Sequence, residues 1–221
     1  MKAEAIIVAG GSGSRMGKPK QFLPLAGKTV VEWSLEAFLA VPEVERVILV
    51  TSAENIREHG ARLAGPRVKF AESGATRMGS VRSGFQSVSE DAEVVAVHDG
   101  ARSLVTPEII RAVVEEAVDS GAAVPAVPVK DTLKKVTNKQ MWISDTPARS
   151  DYWGAQTPQI FERKLIMRAY RKLGRRAVTD DAQVAELAGY RVQIVPGERE
   201  NIKITEPFDL FLAKHYRKMK E

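Results

Sequence analysis

Cysteine is missing from this 221-residue chain, and only three histidines occur, His59, His98 and His215, no two of them close in sequence. The first absence excludes disulfides, thiolate-held zinc or iron–sulfur groups and a cysteine nucleophile. The second argues against a histidine-rich metal centre. No apolar run reaches the roughly 18 residues that a membrane-spanning helix requires. The opening Met1-Lys2-Ala3-Glu4 carries an acid and passes at once into a short apolar stretch, unlike a secretory leader. The expectation is a soluble, cytoplasmic protein with no membrane partner.

Hydrophobic residues make up 44% of the chain and charged ones 28%, enough for a conventional core without covalent staples. One domain spanning 1–221 is expected. Lys and Arg number 33 against 28 Asp and Glu, a net charge of +5. Most of that surplus lies in 163–176 and 214–220, where basic residues spaced along helices read as solvated faces. Small phosphorylated substrates account for such a modest positive field as well as nucleic acid does, and no nucleic-acid partner is expected.

Apolar runs of strand length recur at Ala5–Ala9, Arg46–Val50, Val94–Val97 and Ala122–Val129. Between them lie stretches of helical periodicity at Thr29–Val41, Ala53–Leu63, Arg77–Val88 and from Thr106-Pro107 to Ser120, the last with a cap, a first-turn proline and a closing Gly121. Strands apolar on both sides, alternating with helices, predict a Rossmann-like α/β fold with a mostly parallel sheet and helices on both faces. Residues 130–160 break the rhythm with short, polar, strand-like pieces and read as a projecting β-arm. Helices at Phe161–Leu173 and Asp181–Leu187, strands at Arg191–Val195 and Ile202–Thr205, and a helix from Glu206 complete the expected order.

The first strand runs into Ala9-Gly10-Gly11-Ser12-Gly13-Ser14-Arg15-Met16-Gly17-Lys18-Pro19-Lys20-Gln21. A glycine loop between strand and helix lets backbone N–H groups approach phosphate. The dinucleotide pattern starting at Gly11 requires glycine where Met16 stands, and the P-loop pattern fails at Ser12 and Pro19. What remains is a glycine loop with its own cations, Arg15 and Lys20, where a wrapped triphosphate would lie. Asp99 ends the third apolar strand, at the strand end where open α/β sheets place ligands. It suits either a Mg²⁺ contact or a turn. His98 reads as structural, and Arg102 as a partner or orienter of Asp99. In Asn201-Ile202-Lys203-Ile204-Thr205 the two isoleucines face one way and Lys203 the other, suiting a phosphate contact. Asp209 reads as a capping residue of the last helix, with a second metal contact as the weaker reading.

With Ala9–Gln21, the runs Gly74-Ala75-Thr76-Arg77 with Ser80-Val81, Val97–Arg102, Lys130-Asp131-Thr132, Arg149 with Thr157-Pro158-Gln159, Thr179-Asp180-Asp181 and Asn201–Thr205 form a specific series. In this order they resemble the sugar-phosphate nucleotidyltransferases, and more closely the 2-C-methyl-D-erythritol 4-phosphate cytidylyltransferases. The resemblance covers nearly the whole chain. It implies attack of a substrate phosphate oxygen on the α-phosphorus of CTP, with release of pyrophosphate. The nucleophile is already an anion, so positioning and positive charge, with Mg²⁺ at Asp99, carry the catalysis. It implies Arg15, Lys20 and Lys203 as catalytic cations. It implies nucleotide contacts from Ala9, Gly10, Gly11, Gly13, Lys20, Gly74, Ser80, Asp99 and Gly100, and substrate contacts from Arg102, Arg149, Thr157, Thr179, Asp180 and Lys203. Asp180 and Asp181 serve equally as acids at a helix N-terminus. Arg149 and Thr157 match family positions that reach the neighbouring subunit's substrate, which fits a homodimer built through the arm. Ser73 and Ala75 depart from the family's base-reading loop, Gly100 stands where alanine is usual, and Ser103 where proline is usual. A pentitol-phosphate cytidylyltransferase, of the ribitol 5-phosphate type, is the rival reading.

Overall fold

The protein is described here by a computed structural model covering residues 2–11, 19–137, 141–174 and 176–219. The chain opens on β1 (Ala3–Val8), makes a short ribbon of β2 (Pro24–Leu25) and β3 (Lys28–Thr29), and enters α1 (Val30–Leu39). Strand and helix then alternate through β4 (Val44–Thr51), α2 (Ala53–Leu63), β5 (Val68–Glu72), α3 (Arg77–Phe85), β6 (Val94–Asp99), α4 (Pro107–Ser120) and β7 (Ala122–Pro128). A hairpin of β8 (Lys135–Val136) and β9 (Ile143–Asp145) follows, then β10 (Trp153–Ala155), β11 (Gln159–Glu162), α5 (Arg163–Leu173), α6 (Asp181–Leu187), β12 (Gln193–Pro196) and α7 (Pro207–Lys218).

The continuous apolar strands are explained by burial on both sides. A pleated strand sends successive side chains to opposite faces. Ile7, Val47, Leu49 and Ala96 pack with Val31, Leu35 and Phe38 of α1 and Ile110 and Val113 of α4. Ile6, Ile48, Val50, Val95 and Val97 pack with Val81 and Phe85 of α3 and Ile166 and Ala169 of α5. The central strands β5, β4, β1 and β6 are parallel neighbours in that order. Thr106 caps α4 and Gly121 ends it at φ 84°, as expected. On α1, Thr29 and Glu32 form an unanticipated reciprocal capping box.

Four expectations change. The stretch 130–160 is not wholly an arm, because only the β8–β9 hairpin forms its own sheet. β10 pairs antiparallel with β7, and β11 enters the main sheet antiparallel between β6 and β7. Its adjacent Ile160 and Phe161 are both fully buried, one on each face, so two apolar residues anchor a strand too short to show a period. Phe161 therefore belongs to that strand, and the helix starts at Arg163. Arg77–Val88 ends early as a helix, at Phe85, with tight turns through Val88. Ile202–Thr205 forms no ladder. The Ile204 N–H donates to the Ala101 carbonyl, and Ile204 is buried among Leu25, Val30, Leu104 and Ala213.

β1 has β4 on one side and β6 on the other. The chain thus builds outward in both directions from β1, and the crevice beyond the carboxyl ends of β1 and β6 is the ligand position of such a sheet. Among the described residues, no helix is long and apolar enough to cross a membrane.

Candidate active site

A cavity of about 520 Å³ lies in that crevice, walled by Gly10, Gly11, Lys20, Gln21, Gly74, Arg77, Ser80, Asp99 and Lys203, among others. Two glycines let the loops close on it. A Cβ on Gly10 would lie 2.2 Å from the Cβ of Ser73, and one on Gly74 would lie 2.7 Å from the carbonyl carbon of Gly79. The loop after β1 therefore presents bare backbone to the Ser73 side chain of the loop after β5, and Gly74 lies directly against the Gly79 backbone of α3. The Ser80 hydroxyl accepts the Gly74 N–H at 3.1 Å and donates to the Thr76 carbonyl at 3.0 Å, fastening the Gly74 loop to the first turn of α3. Ser80 thus forms the wall with its hydroxyl already engaged.

Asp99 pairs across β1 with Val8 and carries its carboxylate to the cavity. Arg77 Nε donates to its Oδ1 at 3.0 Å, and Lys203 Nζ meets its Oδ2 at 2.7 Å. Burial alone would raise the Asp99 pKa, but Arg77 and then Lys203 outweigh it and hold the carboxylate well below its usual range. Arg77 also reaches Asp181 Oδ2 at 2.8 Å. Burial works against its charge, while Asp181 and Asp99 more than compensate and push its pKa up. Lys20 starts the single turn Lys20–Phe22 at the rim. Among the described residues the lining thus carries three cations to one carboxylate, a field suited to a polyanion.

Behind Asp99 lies His98, fully buried, its Nδ1 bonded to the Thr157 hydroxyl at 3.0 Å and its ring edge-on to Phe38. Thr157 Oγ1 also accepts the Asp99 N–H at 3.0 Å. Burial pushes His98 down to about 3. Its neutral form is the folded one. As pH falls from about 6.5, the unfolded chain gains a proton that the folded chain refuses, so stability declines until the folded pKa is reached. The expected loss is on the order of 3 kcal/mol by pH 4. Urea unfolding at pH 7 and pH 4 checks this, because His98→Gln should lose markedly less between the two. An equal loss in the variant would remove His98 as the cause.

Several expected contacts fall elsewhere. Arg15 and Gly13 lie outside the described residues. Ala9 and Gly100 are buried and do not line the cavity, because their N–H groups donate to the carbonyls of Val50 and Val8. At Gly100 a Cβ would approach Ile7, Val31 and the Val8 carbonyl to 3.1–3.2 Å, so an alanine there requires these neighbours to give by a few tenths of an ångström. Arg102 does not pair with Asp99 through a hydrogen bond. Its guanidinium donates to the carbonyls of Asn201 at 2.7 Å and Ala155 at 3.4 Å, which ties the Lys203 segment to β10. Burial lowers its pKa.

Within one chain, Thr157 is 4% exposed and sits beneath Asp99, whose N–H it accepts. Arg149 is exposed, away from the cavity, and donates to the Lys130 carbonyl at 2.6 Å. Asp180 caps α6 by accepting the Gln183 N–H and also accepts from Gln159 Nε2, while Thr179 bonds Gln183 Oε1. They serve the helix start and do not line the cavity. Asp209 caps α7, accepting from the Thr205 and Glu206 N–H groups and the Thr205 hydroxyl.

Arg77 is the residue whose role the sequence left unassigned. One signal was present: a cation in the first turn of a helix opposes the helix dipole and calls for a separate reason. The donor set around Asp99 fits Mg²⁺ only as a shared ion. No group of three His, Asp or Glu gathers among the described residues. Mg²⁺ needs just one or two carboxylates when phosphates and waters complete its shell.

Comparison with known proteins places the chain as a whole. The sequence model of 2-C-methyl-D-erythritol 4-phosphate cytidylyltransferase matches residues 3–219. A protein of that name from Rubrobacter xylanophilus is 43% identical, covering 96% of this chain and 93% of its own. One from Caldanaerobacter subterraneus subsp. tengcongensis is 40% identical over 97% and 98%. Among solved structures, the 4-diphosphocytidyl-2C-methyl-D-erythritol synthase of Anaerococcus prevotii superposes with a TM-score of 0.87 at 29% identity, over 98% of both chains. The Thermus thermophilus cytidylyltransferase does so with 0.82 at 33% identity, over 99% of this chain and 100% of its own.

Proposed function

Since the chain belongs to the 2-C-methyl-D-erythritol 4-phosphate cytidylyltransferase family, we propose that its cavity works as a charge-lined cradle for two phosphorylated reactants. The protein transfers a cytidylyl group from CTP to 2-C-methyl-D-erythritol 4-phosphate, giving the CDP-linked product and pyrophosphate, in isoprenoid precursor biosynthesis. A phosphate oxygen of the acceptor forms the new bond to the α-phosphorus, and the bond to the leaving pyrophosphate breaks. The entering oxygen is an anion at neutral pH and needs no base. The work lies in bringing two polyanions together and stabilising charge on a crowded phosphorus.

Backbone at Gly10, Gly11 and Gly74 admits the nucleotide closely. Lys20 faces the triphosphate, with Arg15 as the second cation that the family motif assigns to it, and Lys203 faces the acceptor phosphate from across Asp99. Asp99 and the phosphates would hold a Mg²⁺ ion, which when bound offsets negative charge on the reacting groups. The observation that carries this reading is the Arg77–Asp99–Lys203 array at the cavity floor, with Lys20 at its rim.

The hairpin end supports a homodimer. Met141, Trp142 and Ile143 are strongly exposed apolar residues on a projecting element, a composition that favours a protein contact over solvent. Arg149, near the base of that arm, then serves the partner's site. As a consumer of CTP the enzyme works in the cytoplasm. The test is pyrophosphate release from CTP and Mg²⁺ with methylerythritol phosphate or ribitol phosphate as acceptor. Turnover is expected with the first. Comparable kcat/KM with ribitol phosphate, or no release from folded protein with either, would overturn the assignment.

A further inference from the structure

Behind the cavity, and outside its lining, sit Asp181 and Tyr170, both buried. Asp181 is fully enclosed. One of its oxygens takes Arg77 Nη2 at 2.8 Å and the other accepts the Tyr170 hydroxyl. Its placement is fixed independently, because Gln159 Oε1, on β11 next to β6, accepts the N–H groups of Asp181 and Ala182 at 2.9 Å each. Tyr170 is held in turn by Phe85 edge-on and by Arg82 over its ring. A guanidinium is a planar fork whose edges point in fixed directions. With Nη2 anchored on Asp181, Nε can only aim at Asp99. Without that anchor, Arg77 has one carboxylate and open solvent before it, and is free to swing into the cavity.

We propose that Asp181, braced by Tyr170, is a positioning residue for the transfer, acting through Arg77 to hold the Asp99 carboxylate in place. This rests on the proposed site, and the two are separable in one experiment. Steady-state pyrophosphate release and thermal unfolding are measured on Asp181→Asn, Tyr170→Phe, Arg77→Met, Asp181→Asn combined with Arg77→Met, and Lys20→Ala. Asparagine keeps the shape and an acceptor for Tyr170 but removes the charge that holds Arg77.

Asp181→Asn is expected to lower kcat about tenfold with KM for CTP within about threefold, the signature of lost alignment as opposed to lost binding. Arg77→Met should lower both kcat and Tm, since it strands a buried carboxylate. Adding Asp181→Asn to it should change kcat less than about twofold and recover part of the lost Tm, the non-additivity of residues acting as a unit. Tyr170→Phe should lower kcat in the same direction by a smaller factor.

An Asp181→Asn enzyme with parental kcat, or with the same proportional loss in both backgrounds, overturns the proposal. If Asp181→Asn alone does not fold, Tyr170→Phe with and without Arg77→Met supplies the same cycle, and parental kcat in Tyr170→Phe then overturns it. Lys20→Ala separates the two ideas. If it retains full turnover, the site reading itself fails. If it is inactive while Asp181→Asn is normal, only the positioning role fails.

Discussion

Lys20→Ala should lower kcat/KM by about 10²–10³-fold, and the joint Arg15→Ala, Lys20→Ala enzyme by more, with Tm nearly unchanged. Lys20 stands at the rim of the cavity on a single turn and is only half-buried, so its removal leaves no packing defect. Its charge is felt as far as the start of α7. Asp209, which burial would raise, is kept low by bonds from Thr205 and Glu206, with a smaller contribution from Lys20. The loss should fall mainly on kcat, since a cation matched to charge that develops during transfer matters less to the ground state. Pyrophosphate release under saturating CTP and acceptor checks this. Turnover within about threefold of the parent would end the account of catalysis by fixed positive charge.

Asp99→Asn should be nearly as damaging and differ in kind. It leaves Arg77 and Lys203 without the anion they share, in a site where Asp99 itself is largely buried. Breaking a fully buried pair costs about 3–5 kcal/mol, but Lys203 is 38% exposed, so about 2 kcal/mol is the reasonable expectation here. For a chain of this size that lowers Tm by about 4–8 °C. kcat should fall about 10²-fold or more, the Mg²⁺ concentration for half-maximal rate should rise, and KM for CTP should change little because the lining becomes more positive. Calorimetry together with a Mg²⁺ titration of the rate decides it. An unaltered Mg²⁺ requirement would detach Asp99 from the metal.

These two residues were visible in different ways. Lys20 was legible from its loop, because a glycine run that fails both familiar phosphate motifs yet carries its own cations already points to a polyanion. Asp99 was legible as a strand-end carboxylate but ambiguous, since a turn residue looks the same in sequence. Its two cationic partners come from the start of α3 and from the segment before α7. Arg102, adjacent in sequence and the natural candidate, turns instead to Asn201 and Ala155. Thr157 matched an outward-reaching family position and proves to be a buried support for Asp99 and His98.

The division follows from the range of the forces involved. Apolar runs, the Thr106 and Gly121 helix ends and the glycine loop are written in neighbouring residues, because hydrophobic period, capping and backbone freedom act over a few positions. From them alone came the layered α/β fold and the expectation of a phosphate site at the crevice. The insertion of β11, the loss of a strand at Ile202–Thr205 and the chain Tyr170–Asp181–Arg77–Asp99–Lys203 were decided only by tertiary structure. A buried charge takes whichever counter-charge the packed elements bring within reach, and that choice is made in space between residues that the order along the chain keeps far apart.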